Sequence, residues 1–126
     1  MPGLTPQAYR HMKNPHNTAA GVSSDSICGR AGIEGQGPFF QMFLQLAGER
    51  VSAAGFRTIC CPWANAIGSA ATHLIEGRSV EQARELTASS VSEELGGVPR
   101  SKRDLLGLAL VAVSDALSAA GVQAIA

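Results

Sequence analysis

The chain has 126 residues, 45% of them apolar and 16% charged, and its ten basic side chains balance its ten acidic ones. A chain of this length makes one domain, taken as 1–126, with a modest core, and so high an apolar fraction excludes global disorder. Zero net charge leaves no field to gather nucleic acid, and no apolar run approaches the ~20 residues that cross a bilayer.

The first local signal is Thr5-Pro6, a helix cap followed by proline at the first helical position. It predicts a short helix from Pro6 to Lys13. Asn14-Pro15 ends that helix, because a residue before proline avoids the helical region. Residues 17–30 are rich in Ala, Gly and Ser and read as loop, with a short strand around Ser24–Cys28. Gly32–Pro38 is a glycine-rich turn. In Phe39–Leu46, Phe40, Met42, Leu44 and Leu46 share one face, and Gln41 and Gln45 lie on the other with Phe39 and Phe43. That period of two predicts a strand. Gly48-Glu49-Arg50 reads as a hairpin turn and Val51–Ile59 as the next strand, giving an antiparallel meander.

From Pro62 the pattern becomes helical. Ala64–Glu76 carries Ile67, Ala71, Leu74 and Ile75 on one stripe, and Gly77 stops it. Ser79-Val80-Glu81-Gln82 is a capping box, so a helix starts at Val80 and is expected to run to Ala88. Gly96-Gly97 and Pro99 break the chain. Leu105–Ala120 is the longest amphipathic run, with Leu105, Leu108, Ala109, Ala112, Val113 and Leu117 inward and Gly121 as its expected stop. The order predicts an α+β domain with helices packed on one face of a small sheet.

Three cysteines remain, at positions 28, 60 and 61. So few do not make a secreted disulfide framework, and Met1–Asn14 lacks the apolar segment of a signal peptide. The expected compartment is the reducing cytoplasm, where a cysteine binds metal, does redox chemistry or is buried. Cys60-Cys61-Pro62-Trp63 lies where a strand gives way to a helix. With Pro62 as the first helical residue, Cys61 stands at the cap, where unpaired N–H groups and the helix dipole favour a thiolate. Successive strand residues face opposite ways, so Cys61 is assigned to the site and Cys60 to the core. Cys28, alone on its strand, reads as buried. His11, His16 and His73 are scattered, with His73 on a helix surface, and no Walker loop or paired-cysteine metal spacing occurs.

The stretch Phe56-Arg57-Thr58-Ile59-Cys60-Cys61, followed by Ala64, Ala66, Ser69-Ala70, Thr72, Leu74-Ile75 and Gly77, resembles the NifU/IscU family of iron–sulfur cluster assembly scaffolds. Asn14-Pro15-His16-Asn17 is similar to that family's Asn-Pro-Arg-Asn, and Ser79–Ala83 to its Lys-Thr/Ser-Leu-Asp-Glu-Ala stretch. Leu95-Gly96-Gly97-Val98-Pro99 with Lys102 is similar to its Leu-Pro-Pro-Val-Lys loop. The resemblance implies a three-stranded antiparallel sheet with helices on one side, and a site at one end. There three cysteines and an aspartate, sometimes with a histidine, hold a nascent [2Fe–2S] cluster, iron or, in isolation, zinc.

In this chain only Cys61 matches a ligand cysteine. Gln36 replaces the first cysteine, Pro38 the aspartate, Asp104 the histidine and Leu105 the third cysteine. Leucine cannot ligate, and glutamine is a poor ligand for a thiophilic ion. The candidate set is therefore Cys61 with Asp104, Cys60 and Cys28. Asp104 reads first as the cap of the last helix, and as a ligand second. Trp63 is expected either to cover the site or to pack as an ordinary helix residue.

The implied function is a divergent, non-enzymatic scaffold or carrier for iron or a cluster. Its implied partners are a cysteine desulfurase and a cluster-receiving client or chaperone, with a homodimer sharing one cluster as a further option. The alternatives are a persulfide carrier using Cys61, which needs only one activated thiol, and an adaptor that docks through Gly96–Pro99 and Ser101–Arg103.

Overall fold

The computed structural model describes residues 5–13, 27–33, 35, 37–59 and 62–125. In chain order these form helix α1 (Pro6–Lys13), strands β1 (Ile27–Gly32), β2 (Phe39–Ala47) and β3 (Arg50–Ile59), and helices α2 (Pro62–Ile75), α3 (Val80–Arg84), α4 (Ala88–Glu94) and α5 (Arg103–Ile125). A single 3-10 turn, Arg100–Lys102, leads into α5. The sheet is antiparallel in the order β1-β2-β3, the α+β architecture expected from the sequence.

The sheet is built around β2. Phe40, Met42 and Leu44 are fully buried on one face, as their alternation predicts. The β2–β3 connection is a two-residue turn, because Ala47 pairs with Arg50. Gly48 takes φ 65°, which suits the tight hairpin turns matching strand twist. One irregularity falls between Gln45 and Leu46, where Ser52 on β3 is the unpaired extra residue. Its hydroxyl donates to the Gln45 carbonyl at 3.1 Å.

One row of the sheet fixes where the helices sit. Gly29 pairs with Met42, and Met42 pairs with Phe56, so these three residues share one face. A Cβ on Gly29 would fall into the backbone of α5 at Ala112 and Ala116. A Cβ on Gly68 of α2 would fall into the Phe56 ring. Helix α5 therefore lies over β1 and α2 over β3, with Met42 sealed between them at zero exposure. From α2, Ala64, Ile67 and Ala71 enter the same core; from α5 come Leu105, Ala109, Ala112, Val113, Ala116 and Leu117.

Local signals set the helix ends. Thr5 caps α1, its hydroxyl accepting the Ala8 N–H at 3.0 Å. Gly77 at φ 83° stops α2, and its N–H donates to the Val51 carbonyl at 2.7 Å. The capping box at Ser79 and Gln82 is formed in both directions.

Strands β2 and β3 and helix α2 differ from expectation by only one or two residues at their ends; other differences are larger. Strand β1 spans Ile27–Gly32 rather than Ser24–Cys28, since it pairs along β2 from Leu44 down to Phe39; residues 24–26 lie outside the described residues. The helix expected from Val80 to Ala88 is two helices, because Thr87 adopts an extended conformation and its side chain accepts the Ser90 N–H, starting α4. Helix α5 starts at Arg103 and continues through Gly121 to Ile125; a glycine inside a helix costs only ~1 kcal/mol against alanine, and Ala119, Ala120 and Ala124 favour continuation. Asp104 is thus the second residue of α5 and not its cap, because the 3-10 turn delivers the chain already coiled.

Candidate functional site

Strand β3 ends at Ile59 and α2 begins at Pro62. As expected from the sequence, a strand precedes this position and the first residue of the helix that follows is proline. That first turn leaves N–H groups without intrahelical partners, the positive end of the helix dipole. Cys60, Cys61 and Gln36 lie outside the described residues. Trp63, one residue into α2, is 3% exposed and belongs to the core. It packs as an ordinary helix residue, the second of the two expectations for it.

Leu105 is buried in the core and Pro38 is exposed, and neither carries a donor atom. Asp104 is exposed in the first turn of α5, where a carboxylate interacts favourably with the helix dipole.

Cys28 stands elsewhere. Gly29 faces α5, so by strand alternation its neighbour Cys28 faces away, on the other side of the sheet. Cys28 is also four residues before Gly32, about 13 Å along the strand from the β1–β2 turn. Its thiol sits in a polar row across the sheet. Gln41 Nε2 donates to Cys28 Sγ at 2.9 Å, and Arg57 Nε donates to Gln41 Oε1 at 3.2 Å. The Arg57 guanidinium lies 5.4 Å from the centre of the Phe39 ring, within cation–π range. The structure therefore does not bring Cys28 and Asp104 together: the sheet lies between the thiol and α5. Among the described residues, no group of three or more His, Cys, Asp and Glu side chains is arranged to hold a metal ion.

The sequence reading missed this polar row. It placed Gln41 on the face away from the core, but Gln41 is only 7% exposed. The available signal was a glutamine inside an otherwise apolar strand. A second missed group is a polar cluster of His11, Ser69, His73 and Glu94 joining α1, α2 and α4. Ser69 and His73 are four residues apart on α2 and share a helix face, but no sequence spacing relates them to His11 and Glu94.

The sequence matches the family described as "NifU-like N terminal domain" over residues 4–122. It is 29% identical over 111 residues to the iron-sulfur cluster assembly scaffold protein IscU 1 of Archaeoglobus fulgidus, covering 88% of this chain and 72% of that one. It is 28% identical over 117 residues to the scaffold protein IscU of Aquifex aeolicus, covering 88% and 74%. It is also 34% identical over 113 residues to the bifunctional protein NifU/MnmA of Rubrobacter xylanophilus, covering 88% of this chain and 23% of that one. The fold superposes on the crystal structure of a putative iron-sulfur cluster assembly scaffold protein for the SUF system from Fervidobacterium islandicum, with TM-score 0.64 at 10% identity, covering 90% and 95%. A match along nearly the whole chain, on the three-stranded fold described above, places this protein: the chain belongs to the NifU-like N-terminal domain family.

Proposed function

We propose that this chain is a scaffold or carrier in iron–sulfur cluster assembly, holding iron or a [2Fe–2S] cluster as cargo through the thiolate of Cys61. The observation that carries this reading is the family match over residues 4–122, supported by relatives named as cluster assembly scaffolds. Cys61 is the anchor because it directly precedes Pro62, the first residue of α2, where a thiolate is favoured. Asp104 and Cys60 are its proposed co-ligands. Cys28, on the opposite face, is left out. The role is binding and delivery, so a cysteine desulfurase as sulfur donor and a cluster-receiving client follow as proposed partners. The proposed compartment is the reducing cytoplasm, where cysteines are kept as thiols.

Anaerobic incubation with ferrous iron and sulfide tests the reading. The expected result is visible charge-transfer absorbance and iron that stays with the protein through desalting. A chain that keeps neither colour nor iron would contradict it.

One observation favours a second reading. Cys61 directly precedes Pro62, the first residue of α2, and a single activated thiol there can carry sulfur. In that reaction the Cys61 thiolate attacks the terminal sulfur of a desulfurase persulfide. The new S–S bond forms on Cys61, and the desulfurase cysteine leaves as a thiolate. Intact mass after incubation with a desulfurase and cysteine would then rise by one sulfur atom, and an unchanged mass would remove this reading.

A further inference from the structure

Helix α1 contributes little to the core. Of its residues only Ala8 is buried, with Met12 packed against the core's edge. Polar contacts do most of the fastening. The Thr5 hydroxyl donates to the Leu95 carbonyl at the end of α4. His11 Nδ1 lies 2.6 Å from Ser69 Oγ on α2, and His11 Nε2 lies 3.5 Å from Glu94 Oε1 on α4. The same oxygen lies 3.8 Å from His73 Nε2 on α2, and the two imidazole rings meet edge-on with centroids 6.4 Å apart. One carboxylate thus gathers imidazoles from two helices.

The order Ser69–His11–Glu94 is that of a hydrolytic triad. Ser69, however, has no solvent exposure, so its hydroxyl cannot meet a substrate, and the cluster acts as a fastening. Its strength is limited. An eight-residue helix is not stable alone in water, and partly exposed hydrogen bonds contribute little net free energy each.

We propose that α1 is a strap that undocks from α2 and α4 as one unit while the sheet stays folded, with Glu94 as the node that sets how often it opens. Each opening breaks the His11 contacts to both helices and uncovers the Ser69 side of α2, the helix that starts immediately after Cys61. The device is a property of the fold and stands whether or not the chain carries a cluster.

Amide hydrogen exchange on the whole chain, in the regime where opening is at equilibrium, tests it. The amides of Tyr9 to Lys13 are expected to exchange at least about tenfold faster, after correction for intrinsic rates, than those of Met42 and Phe43 in the central strand β2. Glu94→Gln is expected to speed the α1 amides by a further factor of about five and leave the sheet amides unchanged. Should that variant not fold, His11→Gln, which changes the α1 side of the same contacts, carries the same comparison. Exchange of α1 at the sheet's rate would overturn the proposal. So would a variant that speeds every amide equally or none.

Discussion

Gly29→Ala is expected to destabilise the domain by about 3 kcal/mol or more, lowering its melting temperature by roughly 10 °C. The added Cβ would lie 2.7 Å from Ala116 Cα and closer still to the Ala116 nitrogen and the Ala112 carbonyl oxygen. These are backbone atoms in the middle of α5, so no side-chain rotation relieves the overlap. Either α5 lifts from β1 or β1 bends away from β2. Both motions open the core at Met42, which has no exposure. The Arg30 N–H bond to Asp115 at 2.9 Å ties the same strand to the same helix and would stretch with it. Thermal unfolding followed by circular dichroism measures the loss. A variant as stable as the parent would mean that α5 does not rest on Gly29.

Gly68→Ala is the matching test at the other edge of the same sheet face. In a helix interior this substitution alone would favour folding by ~1 kcal/mol. Here the new Cβ would lie 2.7 Å from Phe56 Cε2 and 2.9 Å from Phe56 Cγ, with Cδ2 nearer. Phe56 is 2% exposed and packed within the core. The overlap is expected to outweigh the propensity gain, for a net loss of about 2 kcal/mol. The sign therefore decides the matter. Phe56→Leu removes the obstructing ring at the cost of a cavity. The double variant Gly68→Ala with Phe56→Leu is then expected to lose less than the two single losses together, by about 1 kcal/mol. Strict additivity in chemical denaturation would contradict the contact.

These two glycines mark the limit of what the sequence made legible. Features written in neighbouring residues were read correctly. The alternation of Phe40, Met42 and Leu44 located β2, the Ser79–Gln82 box started α3, and Gly77 stopped α2. Thr87 was equally local, yet the continuing apolar pattern hid its role as a second cap. Gly29 and Gly68 looked like ordinary small residues, because their constraint comes from elements far away in the chain. Cys28 shows the consequence for the site. Its face depends on the register of β1, which the Ala- and Gly-rich segment before it does not encode. Only its pairing with Phe43, beside Gly29 and Met42, puts it on the side away from α5. Asp104 was misjudged for a similar reason, since a cap and a first-turn residue differ only by the 3-10 turn that precedes them. The family resemblance was legible from Phe56-Arg57-Thr58 and the small-residue helix, because those motifs are local.

The central claim is that the thiol preceding α2 holds the cargo and the thiol on β1 does not. Iron bound per chain after anaerobic reconstitution, compared between the parent, Cys61→Ser and Cys28→Ser, tests it most directly. The account predicts that Cys28→Ser, a near-isosteric change on the far face of the sheet, keeps the parent's iron, while Cys61→Ser loses at least about nine-tenths of it, as expected when a soft thiolate ligand becomes a hydroxyl. Iron retained by Cys61→Ser, or lost from a folded Cys28→Ser, would contradict it.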